Sequence, residues 1–555
     1  MSAARYIFEK IGSYGDAVAQ IDAETGKKLT FNGIRKKSAA LTQWLQRQNL
    51  GKNDIIGFIS RNNTDFVWIM LGIIDSGASC YLINPQYTLR EILHALSLAT
   101  VKGLVLQKGV FKTICCPPMT EIKFVVEFGT SEVEFSEGVI PMDEIFDGAG
   151  ETVRGGCFSK LNGEADSVGE NGFGNAGPMA EDDERRRKEL EEIENIPEDL
   201  ALVLNSSGSS GLPKGVMITH DNIISALKLS KTFIEKGETA VGLMPFFHAY
   251  GLVLMLMCLC EGATVVNISR FSLPFWIRTI KEYSVSYLHI VPSLLVTLVK
   301  SNSIDFRDLI SVNHVWTGAA PISEKEQQNL RNKFHRPITL HHSYGLTETT
   351  FTVFTGVSTP KKPGSPGKLI DSMECKIVDA ENNILKTGQV GEVYFKGPLV
   401  MKGYINNPKA TGATIDIEGW LRTGDLGYFD EDGYFYFVDR IKEIVKYQGY
   451  QVSTCELEFV LISHPNIKDA AVIAAEHELF GQVPRAFVVL HKESNDAAQE
   501  IHEYMREMVA PFKLLRGGLV FVDSIPKTAS GKNQRNSLRS RSPDTILYDQ
   551  KMKSR

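Results

Sequence analysis

Short apolar runs alternate with amphipathic segments over the first quarter of the chain. In residues 33–50 the apolar side chains recur three or four positions apart, which predicts a helix with one buried face. Residues 54–60 and 79–84 are continuous apolar runs, typical of strands covered on both faces, and residues 66–76 between them predict a second helix. Short apolar strands that alternate with helices favour an α/β fold with a parallel sheet and crossover helices.

The segment 148–196 interrupts this alternation. Residues 148–177 are rich in Gly, Ser, Asn and Glu, and have too little apolar surface to offset their ordering entropy, so we expect a disordered insertion. Residues 181–194 form a dense charge run that suits either a solvated linker or an exposed helix, with or without a docking role. Because the motifs described below lie elsewhere, we expect deletion of 148–177 to leave turnover within a few-fold of the parent.

A second boundary is expected near Asp439, after a run rich in glycine and aromatic residues. The residues that follow contain two or three helix–strand alternations, enough for a small α+β domain. We therefore predict a large N-terminal body of residues 1–438, with mixed and parallel sheets flanked by helices, and a C-terminal domain of residues 439–555.

Composition narrows the class of protein. The 555 residues include 60 basic and 66 acidic ones, a formal charge of −6, so the chain lacks the basic excess of a nucleic-acid-binding protein. Eight cysteines are too few for a disulfide scaffold and lack zinc-ligand spacing, which favours an intracellular compartment. The most apolar segment, 243–260, is interrupted by Pro245, His248 and Gly251, and therefore predicts a buried core segment rather than a membrane span.

An apolar run leads into a loop rich in glycine and serine at residues 202–215, LVLNSSGSSGLPKG. Its glycines let backbone N–H groups converge on one point, its hydroxyls add donors, and Lys214 adds a positive charge, which together suit a polyphosphate. A flexible linker has a similar composition, so the loop alone leaves both interpretations open. A Walker loop does not fit, because Pro213 stands where that motif requires a glycine.

Residues 206–215 resemble the phosphate loop of the adenylate-forming superfamily, which includes acyl-CoA synthetases, coumarate ligases and beetle luciferases. Other segments resemble further motifs of that family in the same order along most of the chain. They are TGAAP (317–321) on the adenine side, SYGLTET (343–349) at the α-phosphate, WLRTGDL (420–426) at the ribose, DRIKEIVKYQGYQVS (439–453) at the hinge and PKTASGK (526–532) at the catalytic lysine. The resemblance implies that residues 439–555 form a mobile lid with its hinge near 439–442, and the insertion 148–196 is the largest departure.

The resemblance also implies a reaction in two steps, in which a carboxylate joins the α-phosphate of ATP and a thiol then displaces AMP. The first step brings two anions together, so positive charge must gather where negative charge develops, and Lys532 would supply it. Glu348 would hold Mg²⁺ on the phosphates, because oxygen ligands suit a hard cation. Thr347 would donate to the α-phosphate, and Asp425 would accept from both ribose hydroxyls.

Other residues would complete the site. Arg440 would contact the ribose and Tyr344 would stack on the adenine. His248 would border the acyl pocket and the thiol tunnel, although a histidine in an apolar run is often a core residue. The remaining residues that the resemblance places at the nucleotide are Ser206, Ser207, Gly208, Ser209, Ser210, Gly211, Lys214, Gly318, Ala319, Ala320, Pro321, Ser343 and Gly345, and those that it places at CoA are Lys446, Tyr447, Gln448 and Gly449.

Two places depart from the luciferases of this family. Ala226 stands where they have an arginine, and Phe351 and Thr352 stand where they have small residues. A bulky Phe351 would fill space that a bicyclic heteroaromatic substrate needs, so we expect no light emission from luciferin. Ser210 replaces a more frequent threonine and keeps the hydroxyl.

The sequence thus predicts an acid–thiol ligase that converts a fatty or aryl acid to its CoA thioester, using ATP, Mg²⁺ and CoA. A luciferase-type monooxygenase and a non-catalytic nucleotide- or acyl-binding protein are the alternatives, and a carrier-loading domain would need more residues after Lys532. We expect no nucleic-acid partner, no membrane span, and a monomer or weak dimer. We expect a cytoplasmic location, or a peroxisomal one by family analogy, although the final Lys-Ser-Arg lacks the usual Ser-Lys-Leu address.

Overall fold

The structure, a computed structural model, describes residues 1–109, 122–129, 139–146, 199–206, 213–301, 304–319, 322, 324–334, 336–447, 450–477, 480–494, 496–528, 531–540 and 546–547. The predicted insertion lies outside these residues. The chain divides into two compact units, which are treated separately below. The first contains the described residues within 1–206, 213–279 and 401–408, and the second those within 280–400 and 409–547.

Helices and strands alternate along the described chain. The helices are α1 (Ala3–Ile11), α2 (Phe31–Arg47), α3 (Phe66–Asp75), α4 (Leu89–Leu98), α5 (Met142–Phe146), α6 (His220–Leu227), α7 (Ser230–Phe233), α8 (Ala249–Cys260), α9 (Leu273–Glu282), α10 (Pro292–Lys300), α11 (Glu324–Lys333), α12 (Pro408–Thr414), α13 (Thr454–Ile462), α14 (Ala497–Met508) and α15 (Arg535–Arg539). The strands are β1 (Val18–Asp22), β2 (Lys28–Thr30), β3 (Ile55–Ile59), β4 (Ser79–Ile83), β5 (Val101–Gln107), β6 (Phe124–Phe128), β7 (Ile140–Pro141), β8 (Leu200–Ser206), β9 (Lys214–Thr219), β10 (Thr239–Gly242), β11 (Thr264–Asn267), β12 (Tyr287–Ile290), β13 (His314–Thr317), β14 (Thr339–Gly345), β15 (Thr352–Val357), β16 (Lys368–Leu369), β17 (Glu374–Val378), β18 (Gly391–Lys396), β19 (Gly403–Tyr404), β20 (Leu421–Phe429), β21 (Phe435–Arg440), β22 (Val445–Tyr447), β23 (Tyr450–Val452), β24 (Ile467–His477), β25 (Gly481–Leu490) and β26 (Leu519–Phe521).

The first unit contains a sheet in the order β19-β9-β8-β4-β3-β5-β6-β7. Its strands from β8 to β7 are parallel, and β9 and β19 extend it in the antiparallel sense. Every residue of β3 and β4 is buried, as their continuous apolar runs predict. The helix α3 connects these two parallel strands, which confirms the predicted crossover arrangement.

The helix α2 begins at Phe31, earlier than the apolar pattern indicates. The Thr30 hydroxyl accepts a hydrogen bond of 3.0 Å from the Gly33 N–H, so Thr30 caps the helix. Residues 249–260 of the apolar segment 243–260 form the helix α8, in which every residue except Tyr250 is buried, and this confirms the predicted core segment. Over the ranges given above, no helix is long and apolar enough to cross a membrane. The first unit also holds β10, β11 and β1, which are parallel, with β2 antiparallel to β1.

The second unit contains three groups of strands. Strands β12, β13 and β14 are parallel, and β15 and β16 continue from β14 in the antiparallel sense. A separate antiparallel sheet has the order β17-β18-β20-β21. The third has the order β23-β22-β25-β24, with β26 parallel to β25. The α/β class is therefore confirmed.

The last of these sheets packs against α13 and α14 around one apolar cluster, which includes Leu457, Val472, Val488 and Ile501. This mixture of antiparallel strands and helices is what the alternations beyond Asp439 predict. The exact domain boundary at 438/439 stays a prediction.

Candidate active site

Antiparallel pairing of β20 with β21 places Asp425 directly opposite Arg440. The Arg440 Nε lies 3.3 Å from Asp425 Oδ1, and the Asp425 side chain is only 3% exposed. The Asp425 carboxylate raises the pKa of Arg440, so the guanidinium stays charged. The two residues predicted to contact the ribose therefore form one ion pair, fixed by strand register.

Tyr344, near the end of β14, joins this pair. Its hydroxyl donates a hydrogen bond of 2.6 Å to Asp425 Oδ2, and its ring lies 5.5 Å from that of Phe435. Burial and the Asp425 carboxylate raise the pKa of Tyr344, which keeps the hydroxyl protonated as a donor. A carboxylate has about four lone-pair positions, so Asp425 retains capacity to accept from ribose hydroxyls.

The end of β14 and the turn that follows it are tightly packed. A Cβ on Gly345 would lie 2.2 Å from the Phe351 carbonyl oxygen, so only glycine fits there. The Thr349 hydroxyl accepts from the Leu346 N–H at 2.9 Å and donates to the Phe351 carbonyl at 2.9 Å. These bonds hold a 3₁₀ turn, Thr347–Thr349, which carries the half-buried Thr347 and Glu348.

Lys532 lies at the end of a hairpin in which Lys527 bridges to Asn533. Its N–H donates to the Thr528 hydroxyl at 3.1 Å, and its side chain is partly buried. Burial lowers the pKa of Lys532 to about 8; the Arg440 guanidinium adds to the shift, and the Asp425 and Glu348 carboxylates oppose it. Lys532 thus shares one electrostatic environment with the three residues predicted to contact ribose and metal.

This cluster, defined as Tyr344, Glu348, Asp425, Arg440 and Lys532, suits a nucleotide. It holds two cations, Arg440 and Lys532, and two carboxylates. The cations complement phosphate charge, and a carboxylate can accept hydrogen bonds from ribose hydroxyls. Across the described ranges, no group of three or more His, Cys, Asp or Glu side chains could hold a metal ion alone. A single carboxylate such as Glu348 fits Mg²⁺, which takes few protein ligands and relies on phosphates and water.

The phosphate-loop residues are described only in part. Ser206 ends β8 and pairs with Lys214 at the start of β9, while Ser207, Gly208, Ser209, Ser210 and Gly211 lie outside the described residues. The Lys214 Nζ lies 4.6 Å from the centre of the Tyr404 ring, a cation–π contact within the first unit. A Cβ on Gly215 would lie 2.6 Å from Ile405 Cγ2, so the glycine permits this close approach.

His248 precedes α8 in the first unit and is half-buried. Its ring centre lies 4.7 Å from that of Phe247. In the second unit, the Ser343 hydroxyl donates to the Thr317 carbonyl at 3.4 Å, next to Gly318. Ala319 has a φ of +70°, uncommon for alanine. Ala320 and Pro321 lie outside the described residues.

Of the residues predicted to bind CoA, the two that the structure describes, Lys446 and Tyr447, are not part of the cluster around Lys532. Lys446 is exposed on β22, and it is not among the groups that shift the pKa of Lys532. Tyr447 is 5% exposed, and its ring packs against Phe480 within the apolar cluster of the C-terminal sheet. Gln448 and Gly449 lie outside the described residues. Lys446 and Lys532 thus have different environments, the first exposed and the second partly buried.

One contact in this region was not predicted from the sequence, which indicates Asp439 only as part of a boundary and hinge. Asp439 is fully buried, and its Oδ2 accepts from the Ser453 hydroxyl at 2.9 Å and the Thr454 N–H at 2.6 Å, at the start of α13. The spacing of Ser453 and Glu456 is a helix-start pattern. That pattern could have located α13, but not the distant carboxylate that binds its first turn.

Two family models match most of the chain. The model of the AMP-binding enzyme family matches residues 7–405, and that of the AMP-binding enzyme C-terminal domain matches residues 456–532. Similar relatives include a probable 4-coumarate–CoA ligase 1 of Dictyostelium discoideum, 32% identical over 97% of this chain and 95% of the relative. A luciferin 4-monooxygenase of Nipponoluciola cruciata is 33% identical over 96% of this chain and 93% of the relative.

Solved structures show the same fold. The o-succinylbenzoate CoA synthetase of Bacillus subtilis, in complex with its acyl-adenylate intermediate, superposes with a TM-score of 0.76 at 25% identity, over 98% of this chain and 99% of that one. A benzoate CoA ligase from Burkholderia xenovorans superposes with a TM-score of 0.80 at 21% identity, over 97% and 100%. The chain belongs to the AMP-binding enzyme family, within the adenylate-forming superfamily.

Proposed function

We propose that this chain is an ATP-dependent acid–CoA ligase that activates a fatty or aryl carboxylic acid. The observation that carries this proposal is the cluster of Tyr344, Glu348, Asp425, Arg440 and Lys532 within one compact unit. Relatives named 4-coumarate–CoA ligase, similar over nearly the whole chain, support the ligase class. The enzyme uses ATP, Mg²⁺ and CoA with a small-molecule acid.

In the first half-reaction a carboxylate oxygen forms a bond to the α-phosphorus of ATP, and the bond from that phosphorus to pyrophosphate breaks. Asp425 accepts the ribose hydroxyls, with Arg440 and Tyr344 fixing its orientation. Lys532 places its ammonium where negative charge develops between the carboxylate and the phosphate. Glu348 would hold Mg²⁺, which would supply positive charge to the phosphate oxygens.

In the second half-reaction the CoA sulfur bonds to the acyl carbon, the bond from that carbon to AMP breaks, and the thiol proton passes to solvent. We assign this step to Lys446, which is exposed on β22. The body of residues 1–438 and the lid of residues 439–555 would exchange the two lysines by rotation at a hinge near 439–442. The different environments of Lys446 and Lys532 support this division.

Relatives also include luciferin 4-monooxygenases. Ala226 stands where the luciferases have an arginine, and Phe351 stands where they have a small residue. Both side chains are buried, Ala226 fully and Phe351 with 3% exposed. We expect the purified protein with beetle luciferin, ATP and oxygen to emit no light above background. Bright emission from the unmodified protein would establish the monooxygenase instead.

The ligase proposal is tested with a panel of fatty, cinnamic, benzoic and amino acids. Each is incubated with ATP, Mg²⁺ and CoA, and the release of AMP and the formation of thioester are measured. We expect both products with at least one fatty or aryl acid. Folded protein that forms neither product with any acid would favour the non-catalytic binding protein.

The protein's assembly and location are also proposed. We propose a monomer or weak dimer in an intracellular, reducing compartment, either the cytoplasm or the peroxisome. Within the described residues the cysteines Cys80, Cys258, Cys260, Cys375 and Cys455 are free thiols, which supports such a compartment. Sedimentation of the purified protein and microscopy of the tagged chain would test these two points.

A further inference from the structure

The hairpin that carries Lys532 is anchored on β24 at its base. Lys527 Nζ lies 2.9 Å from Asp469 Oδ2, and the Asn533 side-chain amide donates to the Ala470 carbonyl at 3.2 Å. The Thr528 N–H donates to the Lys532 carbonyl at 2.8 Å. These contacts fix the backbone both before and directly after Lys532.

A buried ion pair adds a further anchor after Lys532. Arg535, three residues after Lys532, begins α15, and its Nη2 lies 2.8 Å from each carboxylate oxygen of Glu458 on α13. Its Nε donates to Glu458 Oε1 at 3.1 Å and to the Val472 carbonyl at 3.1 Å. The Arg535 and Glu458 side chains are 14% and 11% exposed.

The contact between Arg535 and Glu458 fixes the position of the Arg535 side chain and also neutralises its charge. A planar guanidinium bound to both oxygens of a carboxylate is fixed in direction and distance. Glu458 is itself fixed, because its Oε1 accepts from the Val472 N–H at 2.8 Å. The pair therefore connects α13, β24 and the start of α15 at one point, three residues after Lys532 in the chain.

The same short helix contains a second ion pair, which provides a comparison. Arg539 Nη2 lies 2.6 Å from Glu443 Oε2, and the Arg539 side chain is 32% exposed. It lies one helical turn further from Lys532 than Arg535 does. Its loss should affect α15 while leaving the anchors nearest to Lys532 in place.

We propose that Arg535 is a positioning residue for the adenylation half-reaction, holding Lys532 in register with Asp425, Arg440 and Glu348 through its ion pair with Glu458. The inference rests on the proposed ligase function and adds a residue that does not touch substrate. Misplacement of a catalytic group by about 1 Å can cost on the order of 10²-fold in rate. Arg535→Met should therefore impair the step that uses Lys532 and spare the step assigned to Lys446.

The test compares Arg535→Met, Arg535→Lys and the matched control Arg539→Met with the parent in two single-turnover assays. One assay follows adenylate formation from acid and ATP, and the other follows thioester formation from synthetic acyl-adenylate and CoA. For Arg535→Met we expect adenylate formation to fall on the order of 10²-fold and thioester formation to stay within a few-fold. Arg535→Lys keeps the positive charge but loses the contact with both carboxylate oxygens. Its rate of adenylate formation should therefore lie between those of the parent and Arg535→Met. Arg539→Met should retain both activities within a few-fold.

A labelling experiment gives a second readout that needs no catalysis. Competitive acetylation of the lysines as a function of pH, read by mass spectrometry, measures the titration of Lys532 in each folded variant. The titration midpoint of Lys532 should move towards that of an ordinary lysine in Arg535→Met, and should not move in Arg539→Met.

Opposite results would overturn the proposal in distinguishable ways. Equal losses in both half-reactions, or an unchanged Lys532 midpoint in Arg535→Met, would show that the ion pair only stabilises the fold. A parent protein that forms no adenylate from any acid would contradict the ligase function instead, and the labelling result would still decide whether Arg535 positions Lys532.

Discussion

The buried carboxylate of Asp425 binds Tyr344 through one oxygen and lies beside Arg440 through the other. Tyr344 donates a hydrogen bond to this carboxylate, and Arg440 places a positive charge beside it. A carboxylate can accept hydrogen bonds on both oxygens, which is what two adjacent ribose hydroxyls require. Asp425 thus links Tyr344 and Arg440, and its carboxylate can still accept hydrogen bonds from the nucleotide.

Replacement of Asp425 by asparagine should weaken ATP binding. The amide keeps the shape but loses the charge, and one of its two positions becomes a donor. Loss of a charge-assisted hydrogen bond costs about 1.5–3 kcal/mol, which corresponds to roughly a 10- to 150-fold higher KM for ATP in adenylate formation. The control is Asp432→Asn, whose side chain is 67% exposed and which should leave that KM unchanged. An unchanged KM in Asp425→Asn would contradict the ribose assignment.

Lys532 should give adenylation a distinctive dependence on pH. Burial disfavours its ammonium form and lowers its pKa to about 8, while the reaction needs the charged form. The kcat/KM for adenylate formation, which reports the free enzyme, should therefore fall as the pH rises through about 8. Thioester formation from synthetic acyl-adenylate should lack this decline. Adenylation that persists undiminished to the range of an ordinary lysine would argue against the assigned charge.

At the scale of elements, the first turn of the helix α13 is bound by a carboxylate from the strand β21. Asp439, at the end of β21, accepts hydrogen bonds from Ser453 and Thr454 at the first turn of that helix. A negative charge at a helix N-terminus is favourable, because the N–H groups of the first turn have no partner within the helix. Asp439 therefore links β21 to the start of α13.

Replacement of Asp439 by alanine should destabilise the fold more than loss of a surface carboxylate. It leaves buried donors without a partner, and the combined loss of a cap and of charged hydrogen bonds is about 2–4 kcal/mol. Urea denaturation of Asp439→Ala and of the exposed control Asp432→Ala measures the free energy of unfolding. The control should lie within about 0.5 kcal/mol of the parent. An Asp439→Ala variant as stable as the control would show that the cap contributes little.

The sequence predicts these elements better than it predicts their pairing. The apolar runs at β3 and β4 are local, so their burial follows from the side chains themselves. The opposition of Asp425 and Arg440 depends on the register of β20 and β21, and the bond from Asp439 to α13 depends on tertiary packing. Motif resemblance could name the residues of the cluster, but neither periodicity nor resemblance indicated the buried contact of Arg535 with Glu458.

At the scale of the whole molecule, the second compact unit holds both the nucleotide cluster and the C-terminal sheet. Lys532 lies in the electrostatic field of Asp425, Arg440 and Glu348, whereas Lys446 is exposed on β22. This arrangement therefore provides the positive charge that the adenylation step requires. The second step would require the lid to present Lys446 in its place, which is the central claim of the proposed mechanism.

The most direct test measures each half-reaction separately in Lys532→Ala and Lys446→Ala. Removal of one preorganised charge typically costs on the order of 10²–10³ in rate. Lys532→Ala should lose adenylate formation by that factor and still convert synthetic acyl-adenylate and CoA to thioester. Lys446→Ala should form adenylate at the parental rate and fail in thioester formation. Equal damage to both half-reactions in both variants would contradict the exchange of lysines.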